Sequence, residues 1–168
     1  MTFPLTTNQD LDASRLREAF GVFPSGVVAV AALVDDEPVG LAASSFTSVS
    51  LEPPLVSFSI ASTSKTWPTL RRADHVGVTI LADHHGDVCR QLAGPVADRF
   101  EGLLYSVTEN GALTLDEGVA RFDCTIQDEL GAGDHVIVLL KLHAVEHRAK
   151  SMPLVFHRSG FGRLSGSA

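Results

Sequence analysis

The sequence has few cysteines and few basic residues, and each shortage excludes a class of protein. Its two cysteines, Cys89 and Cys124, lie 35 positions apart with no CxxC pair, which argues against a disulfide framework and a thiolate zinc site. We expect both to be buried thiols. Thirteen Lys and Arg against twenty Asp and Glu give a net charge of −7. Because no basic stripe could neutralise a run of phosphates, we expect no nucleic-acid partner.

Long apolar runs and a leader sequence are also missing. The longest runs, GVVAVAALV at 26–34 and HVIVLLKL at 135–142, have the length of strands and are too short to span a bilayer. The opening residues, MTFPLTTNQD, lack the basic and apolar regions of a secretory signal. We therefore expect a cytoplasmic protein with no membrane partner. The length fits one domain over residues 1–168, with about 11–165 structured.

Hydrophobic periodicity predicts a mainly β chain with a few short helices. Helices are predicted over 11–21, 65–73 and 84–94, and either Asp12 or Ser14 is the N-cap of the first. Strands are predicted over 26–34, 55–61, 75–82, 113–115, 120–126 and 135–147, and the first of them forms a hairpin with VGLAASSFTSVS at 39–50. Many strands and few helices indicate a closed or nearly closed antiparallel barrel.

No pattern of a catalytic nucleophile, a common phosphate loop or a metal site is present. The sequence has no GxSxG elbow, no GxxxxGK loop and no GxGxxG turn after a strand. On a straight strand, His135, His143 and His147 would share one face. They would spread over about 40 Å, at roughly 3.3 Å per residue, which is too far for one ion. We predict no metal, and we expect the histidines, His84 and His85 included, to be surface or half-buried.

Hydroxyl side chains are concentrated in GLAASSFTSVSLEPPLVSFSIASTSKTW, residues 40–67, which has eleven Ser and Thr. They are either the solvent face of strands or, with turn N–H groups and Lys65, a site for a phosphate or polar heterocycle. The first cluster does not alternate strictly, so we expect some of its hydroxyls to point inward: Ser44, Ser45, Thr47, Ser48 and Ser50. The second cluster, Ser62-Thr63-Ser64-Lys65-Thr66, lies where a strand gives way to a helix, which favours an anion.

The same stretch resembles the cofactor-binding region of the flavin reductase-like family, the NAD(P)H:flavin oxidoreductase components of two-component flavin-dependent monooxygenases. The similarity continues through nearly the whole chain, in LREAFGVFPSGVVAV, QLAGPVADRFEGL, GAGDHVIVLLKLHAVE and PLVFHRSGFGRL. The resemblance implies a split β-barrel of the FMN-binding, Greek-key type with a few short helices. It also implies a homodimer that holds FMN or FAD without a covalent bond.

The resemblance assigns residues to each ligand. The flavin ring would be bound by the stretch around the first hydroxyl cluster, which comprises Leu41, Ala42, Ala43, Ser44, Ser45, Phe46, Thr47, Ser48 and Ser50. The ribityl phosphate would be held by Ser62, Thr63, Ser64, Lys65 and Thr66, with Arg99 as a further candidate. The family's Gly-Asp-His motif matches Gly133, Asp134 and His135 and implies that His135 and Phe156 lie at the nicotinamide of NADH or NADPH.

The implied activity is hydride transfer from NADH or NADPH to FMN or FAD, with the reduced flavin supplied to a partner monooxygenase. Such chemistry needs no protein nucleophile or general base, in keeping with the absence of a catalytic triad. Two alternatives on a related fold stay open: a non-catalytic flavin carrier or redox sensor, and a pyridoxamine-phosphate-oxidase-like enzyme. The Gly-Asp-His motif favours the reductase, because a carrier needs no nicotinamide site.

Overall fold

The computed structural model describes residues 11–165, in which three short helices are distributed among twelve strands. The helices are α1 (Ala13–Gly21), α2 (Trp67–Leu70) and α3 (Gly86–Leu92), and a 3₁₀ turn covers Val96–Asp98. The first six strands are β1 (Ser25–Gly26), β2 (Val28–Val34), β3 (Glu37–Ala43), β4 (Thr47–Leu51), β5 (Pro54–Ala61) and β6 (Val76–Ile80). The others are β7 (Tyr105–Val107), β8 (Leu113–Leu115), β9 (Ala120–Ala132), β10 (His135–His147), β11 (Leu154–His157) and β12 (Gly160–Arg163). Within the described residues, no helix is long and apolar enough to cross a membrane.

Seven strands form one antiparallel sheet in the order β3-β2-β6-β9-β10-β5-β4. The sheet curls, so that Leu41 and Ala43 of β3 pack in the same buried cluster as Val56 and Phe58 of β5. The two ends of the sheet are therefore joined by side-chain packing, whereas the strands between them are joined by main-chain hydrogen bonds. Two smaller sheets, β1-β11-β12 and β7-β8, lie beside it. The predicted mainly β split barrel with few short helices is confirmed.

Strand β2 is buried on both faces, which explains its unbroken apolar sequence. Val28 and Val30 pack inside the barrel, in the cluster that contains Phe58. Ala29 and Ala31 belong to a second buried cluster outside it, whose larger members are Leu81, Leu92, Leu113, Leu115 and Leu154. Both cysteines are buried and unpaired, as predicted, and burial raises the pKa of the Cys124 thiol to about 12.

Helix α2 is held to the barrel by Trp67. The indole ring meets Phe58 edge to face, with ring centroids 5.6 Å apart, and its Nε1–H donates to Glu129 Oε1 at 2.6 Å. The predicted helix over 65–73 is nonetheless wrong in its length. It gives way after Leu70 to i to i+3 bonds, such as the one from Arg72 N–H to Thr69 O at 3.1 Å. Such bonds define a tighter turn, which ends before β6 begins.

The other predicted helices and strands agree with the structure within two residues at each end, with two exceptions. Strand β9 continues to Ala132, and the predicted strand over 39–50 is divided into β3, which ends at Ala43, and β4, which begins at Thr47. The prediction ended β9 at Ile126, and polar residues follow there, from Gln127 to Glu129. In the structure this extension pairs with β10 and leaves its other edge without a strand partner among the described residues. Polar side chains on that part are compatible with a strand that contacts solvent. Asp12 is the N-cap of helix α1, and its carboxylate accepts the Arg15 N–H at 2.9 Å.

Gly77 of β6 is the tightest glycine contact in the barrel wall. A Cβ built there would lie 2.0 Å from the carbonyl oxygen of Leu113, and a backbone atom cannot move aside as a side chain can. We expect Gly77→Ala to lower the free energy of unfolding by about 3 kcal/mol. Gly131→Ala is the matched control, since no atom lies within 4 Å of its Cβ. Equal urea midpoints for the two variants would contradict this explanation.

Candidate functional site

A cavity of about 760 Å³ opens where α1, the chain after β3 and the β11–β12 hairpin meet. It shares Ser44, Phe156 and Ser159 with a second lobe of about 380 Å³, and volumes of this size are typical of small-molecule sites. The larger lobe is lined by Arg17, Phe20, Gly21, Phe23, Pro24, Ser25, Gly26, Ser45, Phe46 and Thr47 in addition to the shared residues. The smaller lobe adds Val27, Ala42, Ala43, Cys89, Arg90, Ala93, Gly160 and Phe161. The structure thus brings most of the predicted flavin-ring residues together with Phe156.

The first hydroxyl cluster lines this open cavity or the exposed strand beyond it. None of the five hydroxyl residues from Ser44 to Ser50 is buried, so the expectation that some point inward is wrong. Strict alternation fails for another reason: β3 ends at Ala43, β4 begins at Thr47, and a bulge separates Ser48 from Ser50.

The remaining members of the predicted flavin-ring set lie apart from the cavity. Leu41 is buried in the barrel core. Ser48 and Ser50 lie further along β4, and neither is among the residues that line either lobe.

Ser45 joins the cavity wall to β5 at the place where β4 has not yet begun. Its hydroxyl accepts the Ser59 N–H at 2.8 Å and donates to the Ser59 carbonyl at 3.0 Å. The side chain therefore replaces a pair of main-chain ladder bonds. This arrangement holds the segment from Ser44 to Phe46 against β5 while the chain leaves the sheet.

The second hydroxyl cluster adjoins the Gly-Asp-His motif. In the β5–β10 ladder Ala61 lies opposite His135, and the Ser62 N–H donates to the Asp134 carbonyl at 2.9 Å. Ser62, Thr63 and Lys65 are exposed, and Ser64 is half-buried. In the sequence these two groups are about 70 residues apart and are assigned to different ligands. In the structure they are direct neighbours.

The helix after this cluster contributes less than the sequence suggested. Helix α2 has four residues, so its macrodipole is small. The Ser64 hydroxyl is already used there, because it accepts the Trp67 N–H at 3.2 Å. Lys65 remains the cationic side chain of the cluster, and its role toward a phosphate stays a prediction.

Arg99 and Thr66, both predicted to bind phosphate, contact each other. Arg99 donates from one terminal nitrogen to Thr66 Oγ1 at 2.9 Å and to the Gly40 carbonyl at 2.8 Å, and from Nε to the Gly94 carbonyl at 3.0 Å. Burial lowers the pKa of the Arg99 guanidinium. Thr66 itself is buried. The pair joins β3, the end of α3 and the second hydroxyl cluster, Ser62 to Thr66, which we call the hydroxyl loop. Its first visible role is to fix the shape of this loop.

His135 is oriented by its neighbour Asp134. The His135 Nδ1 lies 2.7 Å from Asp134 Oδ1, so Nδ1 carries the proton when the carboxylate accepts it, and Nε2 is left for a ligand. This hydrogen bond lowers the pKa of Asp134, and the charges of His135 and Arg17 lower it further. Arg17, which lines the larger lobe, therefore lies within electrostatic range of Asp134, although neither Asp134 nor His135 lines either lobe.

Sequence analysis missed the contribution of α1 to the cavity. Arg17 and Phe20 of α1 line the larger lobe, together with Phe23 just after the helix, although the helix resembles an ordinary amphipathic helix in sequence. The signal lies in the packing of the helix and not in its sequence. None of the residues of α1 is buried, so its apolar side chains contribute to a cavity wall and an exposed surface instead of the core.

The structure also assembles a histidine cluster that the strand argument did not consider. Ligand atoms of His84, His85 and Glu117 lie within 4.8 Å of one another. However, His85 Nδ1 accepts the Ala82 N–H at 3.1 Å, so the proton of the neutral ring is on Nε2. Neither nitrogen of His85 then has a free lone pair, and the cluster offers a metal two ligands. His143 lies outside this cluster, and its Nε2 is 2.8 Å from the Thr125 hydroxyl.

Acid should destabilise the protein through His85. Burial lowers the pKa of His85 below 6.5, the charge of His84 lowers it further, and Glu117 and Asp83 partly oppose this. The unfolded chain therefore takes up this proton more readily, and stability falls as the pH falls below 6.5 towards the folded pKa.

We expect His85→Asn to flatten that dependence, because the Asn amide oxygen can still accept the Ala82 N–H but does not titrate. Thermal unfolding above and below pH 6.5 measures the effect. His147→Asn, at the exposed end of β10, is the control. An unchanged pH slope in His85→Asn would contradict this assignment.

Comparison with known proteins adds to this geometry. The family model described as "Flavin reductase like domain" matches residues 20–165. A flavin reductase of Pseudomonas putida is 37% identical over 153 residues, which cover 90% of this chain and 90% of that protein. Reductase subunit HsaB of a flavin-dependent monooxygenase from Rhodococcus jostii is 30% identical over 90% of this chain and 77% of its own. The structure of NADH:FAD oxidoreductase SgcE6 from Streptomyces globisporus, in complex with NAD and FAD fragments, is 29% identical with a TM-score of 0.89 and 99% coverage of both chains.

Proposed function

Because the chain belongs to the flavin reductase like domain family, we propose that it is an NAD(P)H:flavin oxidoreductase that reduces FMN or FAD. We further propose that it supplies the reduced flavin to a partner monooxygenase, as the name of the Rhodococcus relative describes for that protein. The family match spans most of the described residues, which supports one such domain over the whole chain. The observation that carries the proposal is the contact between the hydroxyl loop and the Gly-Asp-His turn.

The cavity fits a flavin by the chemistry of its walls. A flavin ring has flat apolar faces and a polar edge, and the larger lobe offers the rings of Phe46 and Phe156 together with the hydroxyls of Ser44 and Thr47. Neutral hydroxyl donors bind through several weak bonds. A site of this kind suits a cofactor that is exchanged with a partner protein. Beyond β5, the exposed Ser62, Thr63 and Lys65 would hold the ribityl phosphate.

The residues of this chain position two ligands and need not react themselves. When bound, the flavin accepts hydride from the nicotinamide, so the protein supplies orientation and exclusion of water. Asp134 fixes the ring of His135, which would leave His135 Nε2 to hold the carboxamide or ribose of the nicotinamide. Phe156, on the wall shared by both lobes, would separate or stack the two rings.

This arrangement favours the reductase over a flavin carrier or redox sensor. A carrier needs the flavin cavity alone, whereas here Arg17 lines that cavity and acts on Asp134, the residue that orients His135. A pyridoxamine-phosphate-oxidase-like enzyme is not supported by the relatives, which are named as flavin reductases and monooxygenase reductase subunits.

His135→Ala should impair use of the nicotinamide without loosening the flavin. Loss of one well-placed hydrogen bond raises the free energy of the transition state by about 1 to 3 kcal/mol, which is roughly a five- to hundredfold loss in kcat/KM. Stopped-flow reduction of FMN and of FAD by NADH and by NADPH tests the activity and separates dinucleotide binding from hydride transfer. Fluorescence titration gives the flavin Kd.

The control is His147→Ala, which removes a histidine from the far end of the same strand. Parental kinetics in His135→Ala would show that this residue does not bind the nicotinamide. The reductase would then no longer be favoured over the flavin carrier. Absence of flavin reduction by the parent protein with both dinucleotides would contradict the oxidoreductase itself.

We also propose a homodimer in which α1 and its neighbours meet a second copy. Phe20 is 69% exposed and Phe23 is 78% exposed, while Leu51 and Leu104 are exposed elsewhere. Burial of such side chains stabilises association by about 25 cal/mol per Å² of apolar surface. Sedimentation at micromolar concentration should give twice the 17.9 kDa chain mass, and Phe20→Ser with Phe23→Ser should shift it towards the monomer. A monomeric parent protein would end this proposal.

A further inference from the structure

A second cleft, of about 470 Å³, adjoins the larger lobe behind α1. The two share Arg17, Gly21 and Ser159, so a ligand could occupy both without crossing a wall. The cleft is completed by Glu18, Val22 and Arg158. Its floor is fixed, because the Arg158 N–H donates to the Gly21 carbonyl at 2.9 Å and joins the β11–β12 turn to the end of α1.

Two guanidinium groups line this cleft without an ion pair among the described residues. Arg17 and Arg158 have no carboxylate within 4.0 Å in that part of the chain. Other arginines are neutralised, as in the pairs Arg71–Glu129, Arg72–Asp35, Arg90–Asp87, Arg121–Asp116 and Arg163–Asp83. In a chain with a net charge of −7, two arginines without a close carboxylate on one cleft make a local positive field, although Arg17 also acts at longer range on Asp134. Glu18 is the acidic side chain of the same cleft.

The turn that presents Arg158 is poorly suited to its own residues. Arg158 and Ser159 have φ of 49° and 61° between two paired strands, the conformation of a two-residue hairpin turn that prefers Asn-Gly or Asp-Gly. The turn between β2 and β3 has the same geometry and uses Asp35 and Asp36, with φ of 54° and 65°. An arginine in the left-handed backbone region is strained, and Asn or Asp at this position would form the same turn with less strain. Strain of this kind is concentrated at functional sites.

We propose that Arg17 and Arg158 bind the pyrophosphate of a dinucleotide whose ring occupies the adjoining cavity. Guanidinium groups bind phosphate oxygens through paired, charge-assisted hydrogen bonds. The dinucleotide is the nicotinamide co-substrate, because the pyrophosphate of FAD includes the ribityl phosphate that is proposed above to lie at Ser62, Thr63 and Lys65. The inference rests on the proposed function for the identity of the ring, but the arginine site can be tested without turnover.

Arg158→Asn is the most informative variant, because Asn suits the left-handed position and removes the guanidinium. We expect it to unfold at or above the parental temperature and to bind inorganic pyrophosphate and ADP-ribose about five- to tenfold more weakly in calorimetry. Arg17→Gln, on an exposed helix, should lose a similar factor, and the double variant should lose measurable binding. Glu18→Gln should tighten binding by removal of the opposing charge.

Arg72→Gln is the charge-matched control, because it removes one positive charge from an ion pair outside the cavity. Parental binding of pyrophosphate in the double variant would overturn the proposal, as would an equal loss in Arg72→Gln or no binding to the parent protein. The source of the pyrophosphate follows from two further measurements on the Arg158→Asn variant. A raised KM for NADH or NADPH supports the co-substrate, whereas weaker binding of FAD with an unchanged KM would contradict that assignment.

The two proposals fail separately. A parent protein that reduces flavin, combined with a double variant that binds pyrophosphate normally, contradicts the arginine site alone. A parent protein that binds pyrophosphate through both arginines yet reduces no flavin contradicts the oxidoreductase and leaves the arginine site intact.

Discussion

The pairing of β5 with β10 is the constraint on which the candidate site depends. Its register aligns Val56 and Phe58 with Leu140 and Val138 in the barrel core, and it sets Ala61 opposite His135 at the open end. Because side chains alternate along a strand, a slip of one residue would turn Phe58 to solvent and move the hydroxyl loop away from the Gly-Asp-His turn. The burial of two core side chains therefore determines a contact between polar loops several residues away.

Function in this architecture depends on where the ladder stops. The chain leaves its ladder with β2 at Ala43 and joins a different ladder, with β5, at Thr47, and between them the Ser45 hydroxyl bonds to the main chain of Ser59. A continuous strand would have used those groups within the sheet and covered the cavity. The same residues thus interrupt the sheet and line the space that the interruption creates, which is why polar side chains could be kept there without buried, unpaired groups.

The sequence predicted the elements whose pattern is local. The bounds of β10, the capping by Asp12 and the apolar run of β2 follow from periodicity and from side-chain chemistry within a few residues. The resemblance to a family identified the hydroxyl stretch and His135 as site residues, and the structure brings the part from Ala42 to Thr47 to the cavity, while the second hydroxyl cluster and His135 adjoin each other outside its lining. What could not be predicted depends on distant contacts. Arg99 bonds to Thr66 across 33 positions, and Arg17 reaches the cavity because α1 finds no place in the core.

The position of Trp67 has a practical consequence for spectroscopy. It is the one tryptophan of the chain, it directly follows the hydroxyl loop, and it is buried against Phe58 with its indole N–H bonded to Glu129. All indole emission therefore arises from a single environment that couples the loop to the barrel interior. An oxidised flavin absorbs where indole emits, so quenching of this residue reports the distance between the loop and the ring without any introduced label.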